Sequence, residues 1–114
     1  ELPAYFSAAD LFLTSSPAEG SNFALLEAFA CGTPSVASDI PAHRALTGDG
    51  VAGELFGVGD PRACARAIVA AAGRLSGDAR RNVRRHFDEH LSWPAVARQA
   101  VGSYGRLLAG KGRR

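Results

Sequence analysis

Short apolar runs alternate with stretches of helical apolar spacing along this chain. Residues 10–16 (DLFLTSS) form a brief apolar run ending in small hydroxyl residues. That is the pattern of a buried parallel strand whose carboxyl end opens into a loop. The loop 16–22 (SPAEGSN) leads into a helix predicted over 23–30, with Ser21 or Asn22 as its cap and Gly32 as its stop. Residues 33–38 (TPSVAS) repeat the short-strand pattern and again run into a polar loop. Residues 40–46 have room for one brief helix before the Gly48-Asp49-Gly50 turn, and 53–56 (GELF) read as a weak third strand.

Asp60-Pro61 places a capping acid before a first-turn proline, and Cys64, Ala67, Ile68, Ala71 and Leu75 then recur at helical spacing. Gly77-Asp78 restarts a helix with Ala79, Val83 and Phe87 on one face and Arg80, Arg81, Arg84 and Arg85 on the others. The arginines read as a solvated face, with anionic lipid headgroups as the sharper alternative. A final helix runs from Ser92 to about Leu108, striped by Trp93, Ala97, Ala100, Val101, Tyr104 and Leu108, and residues 110–114 read as a disordered tail. Strands alternating with helices predict an α/β chain: a partial Rossmann-like parallel sheet with flanking helices, half of a doubly wound domain.

Composition adds bounds. At 114 residues the chain holds one domain, and 46% apolar with 21% charged residues excludes wholesale disorder. A net charge of +2 is too small to point to nucleic acid. No apolar run is long enough for a transmembrane helix, and Glu1-Leu2-Pro3-Ala4 lacks the basic-then-apolar order of a secretory leader. With no methionine and a start at Glu1, the chain reads as a piece of something longer. Cys31 and Cys64 read as two buried thiols.

The candidate chemistry lies in Glu19-Gly20-Ser21-Asn22-Phe23-Ala24-Leu25-Leu26-Glu27. One carboxylate stands in the loop before a helix and the other a turn inside it. Between them lie the unpaired amides and the positive dipole end of the helix start, at the carboxyl edge of a parallel strand. Amides near Asn22, Phe23 and Ala24 suit a diphosphate, and the carboxylates suit sugar or ribose hydroxyls. Both acids also simply favour a helix N-terminus, so the spacing alone leaves the two readings level.

The residues around that spacing narrow the choice. Asp10-Leu11-Phe12-Leu13, Glu19-Gly20, Leu25-Leu26-Glu27-Ala28, Cys31-Gly32-Thr33-Pro34, Ala37-Ser38-Asp39, Ile40-Pro41-Ala42-His43-Arg44, Gly59-Asp60-Pro61 and Leu91-Ser92-Trp93 together resemble the retaining glycosyltransferases of family 4. The likeness runs from Glu1 to about Leu108 and is expected to cover residues 1–109 as half of the C-terminal domain of a GT-B fold, the donor-binding half plus terminal helices. It implies a nucleotide-diphosphate sugar as donor, with no cofactor and no required metal. Glu19 would lie by the transferred sugar as the catalytic carboxylate and Glu27 would bond the ribose. Gly20, Ser21, Asn22, Phe23 and Ala24 would line the diphosphate. One departure is visible: the family's usual aromatic directly after Glu-Gly stands two places later here, as Phe23. The implied partners are an N-terminal GT-B domain, a lipid-linked or saccharide acceptor bound there, and no nucleic acid. Self-association of the isolated piece and a cytoplasmic location, peripheral to the inner membrane face where the acceptor is lipid-linked, are also implied. The alternatives are a nucleotide-binding module without turnover and a non-catalytic interaction domain.

Other candidates read more plainly. His86 and His90 are four apart, but Phe87 stands where a metalloprotease helix needs glutamate. His43 reads as a loop-packing residue, with proximity to the donor as its alternative. Trp93 and Tyr104 read as the grip of the last helix on a neighbouring domain.

Overall fold

The computed structural model describes residues 1–112. Helix α1 (Leu2–Ala8) precedes strand β1 (Phe12–Thr14), helix α2 (Phe23–Ala30), strand β2 (Ser35–Ser38), helix α3 (Pro41–Thr47) and strand β3 (Gly53–Phe56). Helices α4 (Pro61–Ala72) and α5 (Gly77–His86), a π turn (Phe87–Leu91) and the long helix α6 (Trp93–Lys111) complete the chain. The strands form one parallel sheet in the order β1-β2-β3, with Phe12 opposite Ser35 and Ser35 opposite Gly53. The α/β reading therefore holds.

Helices cover both sheet faces, as a parallel sheet demands. On one, Leu25 and Phe29 of α2 pack with Ala52 and Val83, joined by Phe12, Leu46, Phe87 and Leu91. On the other, Ala67 and Ala71 of α4 pack against Val36 and Phe56. All four residues of central β2 are buried. The neighbouring strand needs glycine at position 53, because a β-carbon there would fall 2.2 Å from the Ser35 carbonyl oxygen.

The strands are shorter than the apolar runs that signal them. β1 begins at Phe12 and ends at Thr14, where the chain turns towards β2 and the Ser16 carbonyl accepts from Ser38 Oγ. Before β2, Thr33 and Gly32 close the end of α2 instead: their amides donate to Ala28 O and Phe29 O, each at 2.9 Å, with Gly32 at φ +73. That is a Schellman motif. Helix α1 was not among the predicted elements, and none of its residues is buried. Leu75 falls beyond the end of α4. Both cysteines are free, and each is half-buried rather than buried.

The arginines of α5 are not merely a solvated face. Arg80 sends its guanidinium across to Ala9 O (2.9 Å), Ser7 O (2.8 Å) and Thr33 Oγ1 (3.3 Å), while Arg84 Nη1 donates to Ala30 O at 2.7 Å. Two cations thus bind the carbonyl ends of α1 and α2, where orphan acceptors and the negative dipole end both call for positive charge. Arg81 and Arg85 do face solvent.

The predicted break at Ser92 is present: its hydroxyl accepts from Ala95 N, after a π turn closed by Ser92 N to Phe87 O at 2.9 Å. Helix α6 continues through Gly110 and Lys111, where a disordered tail was expected; residues 113–114 lie outside the described residues. Only Ala95 of α6 is buried, and Trp93, Val101, Tyr104, Leu107 and Leu108 are exposed. The helix projects from the body, which explains a radius of gyration of 16.2 Å against about 13 Å for a compact chain of this length.

The bracing role of α5 separates two neighbouring arginines. Arg80→Ala is expected to lower unfolding stability by about 1.5–3 kcal/mol, since charged hydrogen bonds to three acceptors disappear. Arg81→Ala, which loses only an exposed pair with Asp78, is expected to change it by less than about 0.5 kcal/mol. Urea unfolding of both variants reads the difference.

Candidate functional site

At the carboxyl edge of the sheet the loops after β1 and β2 are joined by side chains. Asn22 is the cap of α2, its Oδ1 accepting from Leu25 N at 3.1 Å. That bond fixes which end of the amide is nitrogen. Nδ2 has two hydrogens and two partners, Thr14 Oγ1 at 3.2 Å and His43 Nε2 at 3.1 Å. Because Nδ2 only donates, His43 Nε2 is the accepting nitrogen and Nδ1 carries the proton. Nδ1 donates to Ser38 O at 2.9 Å, and Ser38 Oγ in turn donates to Ser16 O at 2.6 Å. Asn22 is 8% exposed, and His43 and Ser38 are fully buried. Each unmade bond in such a place costs about 1–3 kcal/mol, so the network specifies one loop conformation.

His43 is therefore not a loop residue. Pro41 starts α3, His43 is its third residue, and Thr47 Oγ1 donates back to His43 O at 2.8 Å. The signal available in the sequence was the hydroxyl residues at both strand ends, Thr14, Ser16 and Ser38. Thr14 and Ser38 supply partners that the buried amide and imidazole need, and Ser16 anchors Ser38 in turn.

Asn22, not Ser21, caps α2. Gly20, Ser21, Phe23 and Ala24 are exposed around the helix start. No acceptor among the described residues takes the Phe23 or Ala24 amide. These two N–H groups are the free donors of the helix end. Glu19 is exposed in the loop, and its Oε1 accepts from Ser16 Oγ at 2.8 Å. Glu27 is exposed one turn inside α2 and makes no ion pair among the described residues. With Ser21, Phe23, Leu26, Phe87 and Trp93 it lines a recess of about 500 Å³, and Glu19 stands outside that lining. The structure thus puts both carboxylates beside the start of α2 but on different surfaces.

After β2, Arg44 grips Asp39 with two nitrogens, Nη2 to Oδ2 at 2.8 Å. That hydrogen bond to Arg44 holds the Asp39 carboxyl below its usual range, against an opposing desolvation. The pair is solvent-exposed and contributes little to stability. His86 Nε2 donates to Leu46 O at 2.8 Å, and its ring is tilted against that of His90, 5.2 Å between centroids. It serves to pack α5 against α3.

Asn22 does more than cap a helix, which a comparison of caps exposes. Ser76→Ala removes only a cap, on Ala79 N, and is expected to cost about 1 kcal/mol. Asn22→Ala also strips donors from Thr14 and His43, and about 2–3 kcal/mol is expected. Thermal or urea unfolding of the two variants measures the gap.

Comparison with known proteins gives this geometry a family. Residues 1–73 match the family described as Glycosyl transferases group 1. A D-inositol 3-phosphate glycosyltransferase of Salinispora tropica is 36% identical over 115 residues, 96% of this chain and 23% of that protein. A phosphatidyl-myo-inositol mannosyltransferase of Mycobacterium leprae is 48% identical over 52 residues, 46% of this chain and 14% of that protein. Among solved structures, the sucrose-phosphate synthase of Thermosynechococcus elongatus superposes with a TM-score of 0.74 at 29% identity, over 93% of this chain and 27% of that one. The chain spans about a quarter of the length of such relatives. With its parallel sheet, covered faces and matched residues, this chain belongs to the group 1 glycosyl transferases and has the fold of part of a GT-B glycosyltransferase domain.

Proposed function

We propose that this chain is the donor-binding part of a retaining glycosyltransferase that takes a sugar from a nucleotide-diphosphate donor. The observation that carries the reading is the pair of free amides, Phe23 and Ala24, at the start of a helix fixed by buried bonds at the carboxyl edge of a parallel sheet. Ligands bind open α/β sheets at that edge, and a helix N-terminus there stabilises phosphate.

In this reading the donor diphosphate lies on those amides, flanked by Gly20, Ser21 and Asn22. Glu27 accepts hydrogen bonds from the ribose hydroxyls. The bond between the anomeric carbon and the diphosphate oxygen breaks, and its electron pair leaves with the diphosphate. The acceptor hydroxyl oxygen bonds to the same face of the anomeric carbon and its proton leaves through the departing phosphate. Preorganised amides favour the charge that builds on the diphosphate. Glu19 lies by the sugar, where positive charge develops. No metal or cofactor is required by these steps. The rest of the protein supplies an N-terminal domain that holds a lipid-linked or saccharide acceptor and covers the apolar stripe of α6. The relatives named for inositol compounds make an inositol-bearing acceptor the first to try. The reaction is assigned to the cytoplasm, at the inner membrane face where the acceptor is a lipid.

Two glutamine substitutions in the complete protein test the roles. Glu27→Gln weakens a contact made equally in ground and transition states, so donor KM and nucleotide Kd rise by about 1–3 kcal/mol while kcat holds. Glu19→Gln lowers kcat and leaves free-nucleotide affinity nearly unchanged. Equal losses of nucleotide binding, or none, make both only helix-end acids.

The isolated 114-residue chain is expected to transfer no sugar and to self-associate through the unpaired edge of β1 and the exposed stripe of α6. Turnover with any nucleotide-sugar, or a concentration-independent monomer in sedimentation, contradicts this.

A further inference from the structure

Among the described residues, His43 is the ionisable side chain with no exposure at all, and neither ring nitrogen is free. Nε2 takes a proton-bearing nitrogen of Asn22, and Nδ1–H is spent on Ser38 O. The ring therefore has nothing left to offer a ligand. What it touches is informative: the loop 16–22 is held at its start by Ser38, through Ser16 O, and at its end by Asn22. One imidazole binds both anchors.

We propose that His43 is a positioning residue of the donor site, its Nε2 fixing the Asn22 side chain and thereby aiming the free Phe23 and Ala24 amides at the donor diphosphate. The inference rests on the donor reading above. Asn22 is extended, at φ −94 and ψ 92, and its carbonyl accepts from Leu26 N while its side chain accepts from Leu25 N. The direction of the first two helical amides follows from that conformation. Without an acceptor at Nε2, one buried Nδ2 hydrogen loses its partner, and the amide side chain is driven towards water. Leu25 N is then released, and the donors that should meet a phosphate lose their common direction. A helix of eight residues has little of its own to resist this.

The test uses the complete protein carrying this segment, with uridine and guanosine mono- and diphosphates as probes in calorimetric titration. All variants are titrated at a temperature where circular dichroism shows them folded. His43→Leu fills the space without polar atoms; His43→Gln offers a carbonyl to Asn22 and an N–H to Ser38 O. The amides serve the diphosphate, so the ratio of diphosphate to monophosphate affinity is the readout that packing alone does not move. His43→Leu is expected to lower that ratio about tenfold, and His43→Gln to keep it within about threefold of the parent. Asn22→Ser keeps a cap but cannot reach the ring, and carries the same expectation as His43→Leu should the latter not fold. The double variant is expected to be no worse than the poorer single, since both cut one link. An unchanged ratio in His43→Leu or Asn22→Ser, or equal losses in the leucine and glutamine variants, overturns the proposal and leaves the donor reading standing. A parent protein that binds no nucleoside diphosphate overturns the donor reading and this proposal with it.

Discussion

A neutral imidazole sealed beneath the sheet edge is the constraint on which the rest of this structure turns. His43 has to be hydrogen-bonded at both nitrogens, because a buried polar group without a partner costs more than most single contacts contribute. Its two partners belong to different parts of the chain, the carbonyl of Ser38 on β2 and the cap of α2. Satisfying one ring therefore joins β2, α2 and α3, and Asn22 extends the join to Thr14 at the end of β1. The register of short strands is weakly specified by themselves, and here side chains at their carboxyl ends supply what three or four residues of ladder do not.

The other end of α2 is held by the same logic with different chemistry. Its last carbonyls are closed by a Schellman turn at Gly32, and Arg84 reaches Ala30 O from α5. Arg80 does the equivalent for α1, and the backbone at Arg80 lies close enough that a β-carbon on Gly32 would meet its carbonyl at 3.0 Å. Helix α2 is thus fixed at its start by a buried neutral network and at its end by a glycine turn and one cation. Its exposed face, carrying Phe23, Leu26 and Glu27, is left unburdened by structural bonds and open to the recess beside Trp93.

Much of this was legible in the residues. Pro61 after Asp60, Ser92 before Trp93-Pro94 and Gly32 after α2 each name a helix boundary through a local bond, and each boundary stands where its cap places it. What depends on distant partners was not legible. The arginines of α5 look alike in sequence, and only the carbonyl ends of α1 and α2 distinguish Arg80 and Arg84 from Arg81. Helix α1 has Leu2, Tyr5 and Phe6 at helical spacing, too short a run to stand out, and buries none of them. His43 looked like a loop residue because its partners come from β2 and from 21 positions upstream. The glutamates were found by spacing and family likeness, yet their separate surroundings, one bonded to Ser16 and one on the recess, required the fold.

The apolar stripe of α6 and the outer edge of β1 are uncovered among the described residues, and the relatives are about four times the length of this chain. The proposed donor site draws its amides, cap and carboxylates from residues 19–27. A crystal structure of the complete protein with a nucleoside diphosphate examines that claim most directly. The account predicts diphosphate oxygens within hydrogen-bonding distance of the Phe23 and Ala24 amides, ribose hydroxyls on Glu27, and Asn22 still bonded to His43. A nucleotide bound elsewhere, or those two amides covered by another segment of the protein, contradicts it.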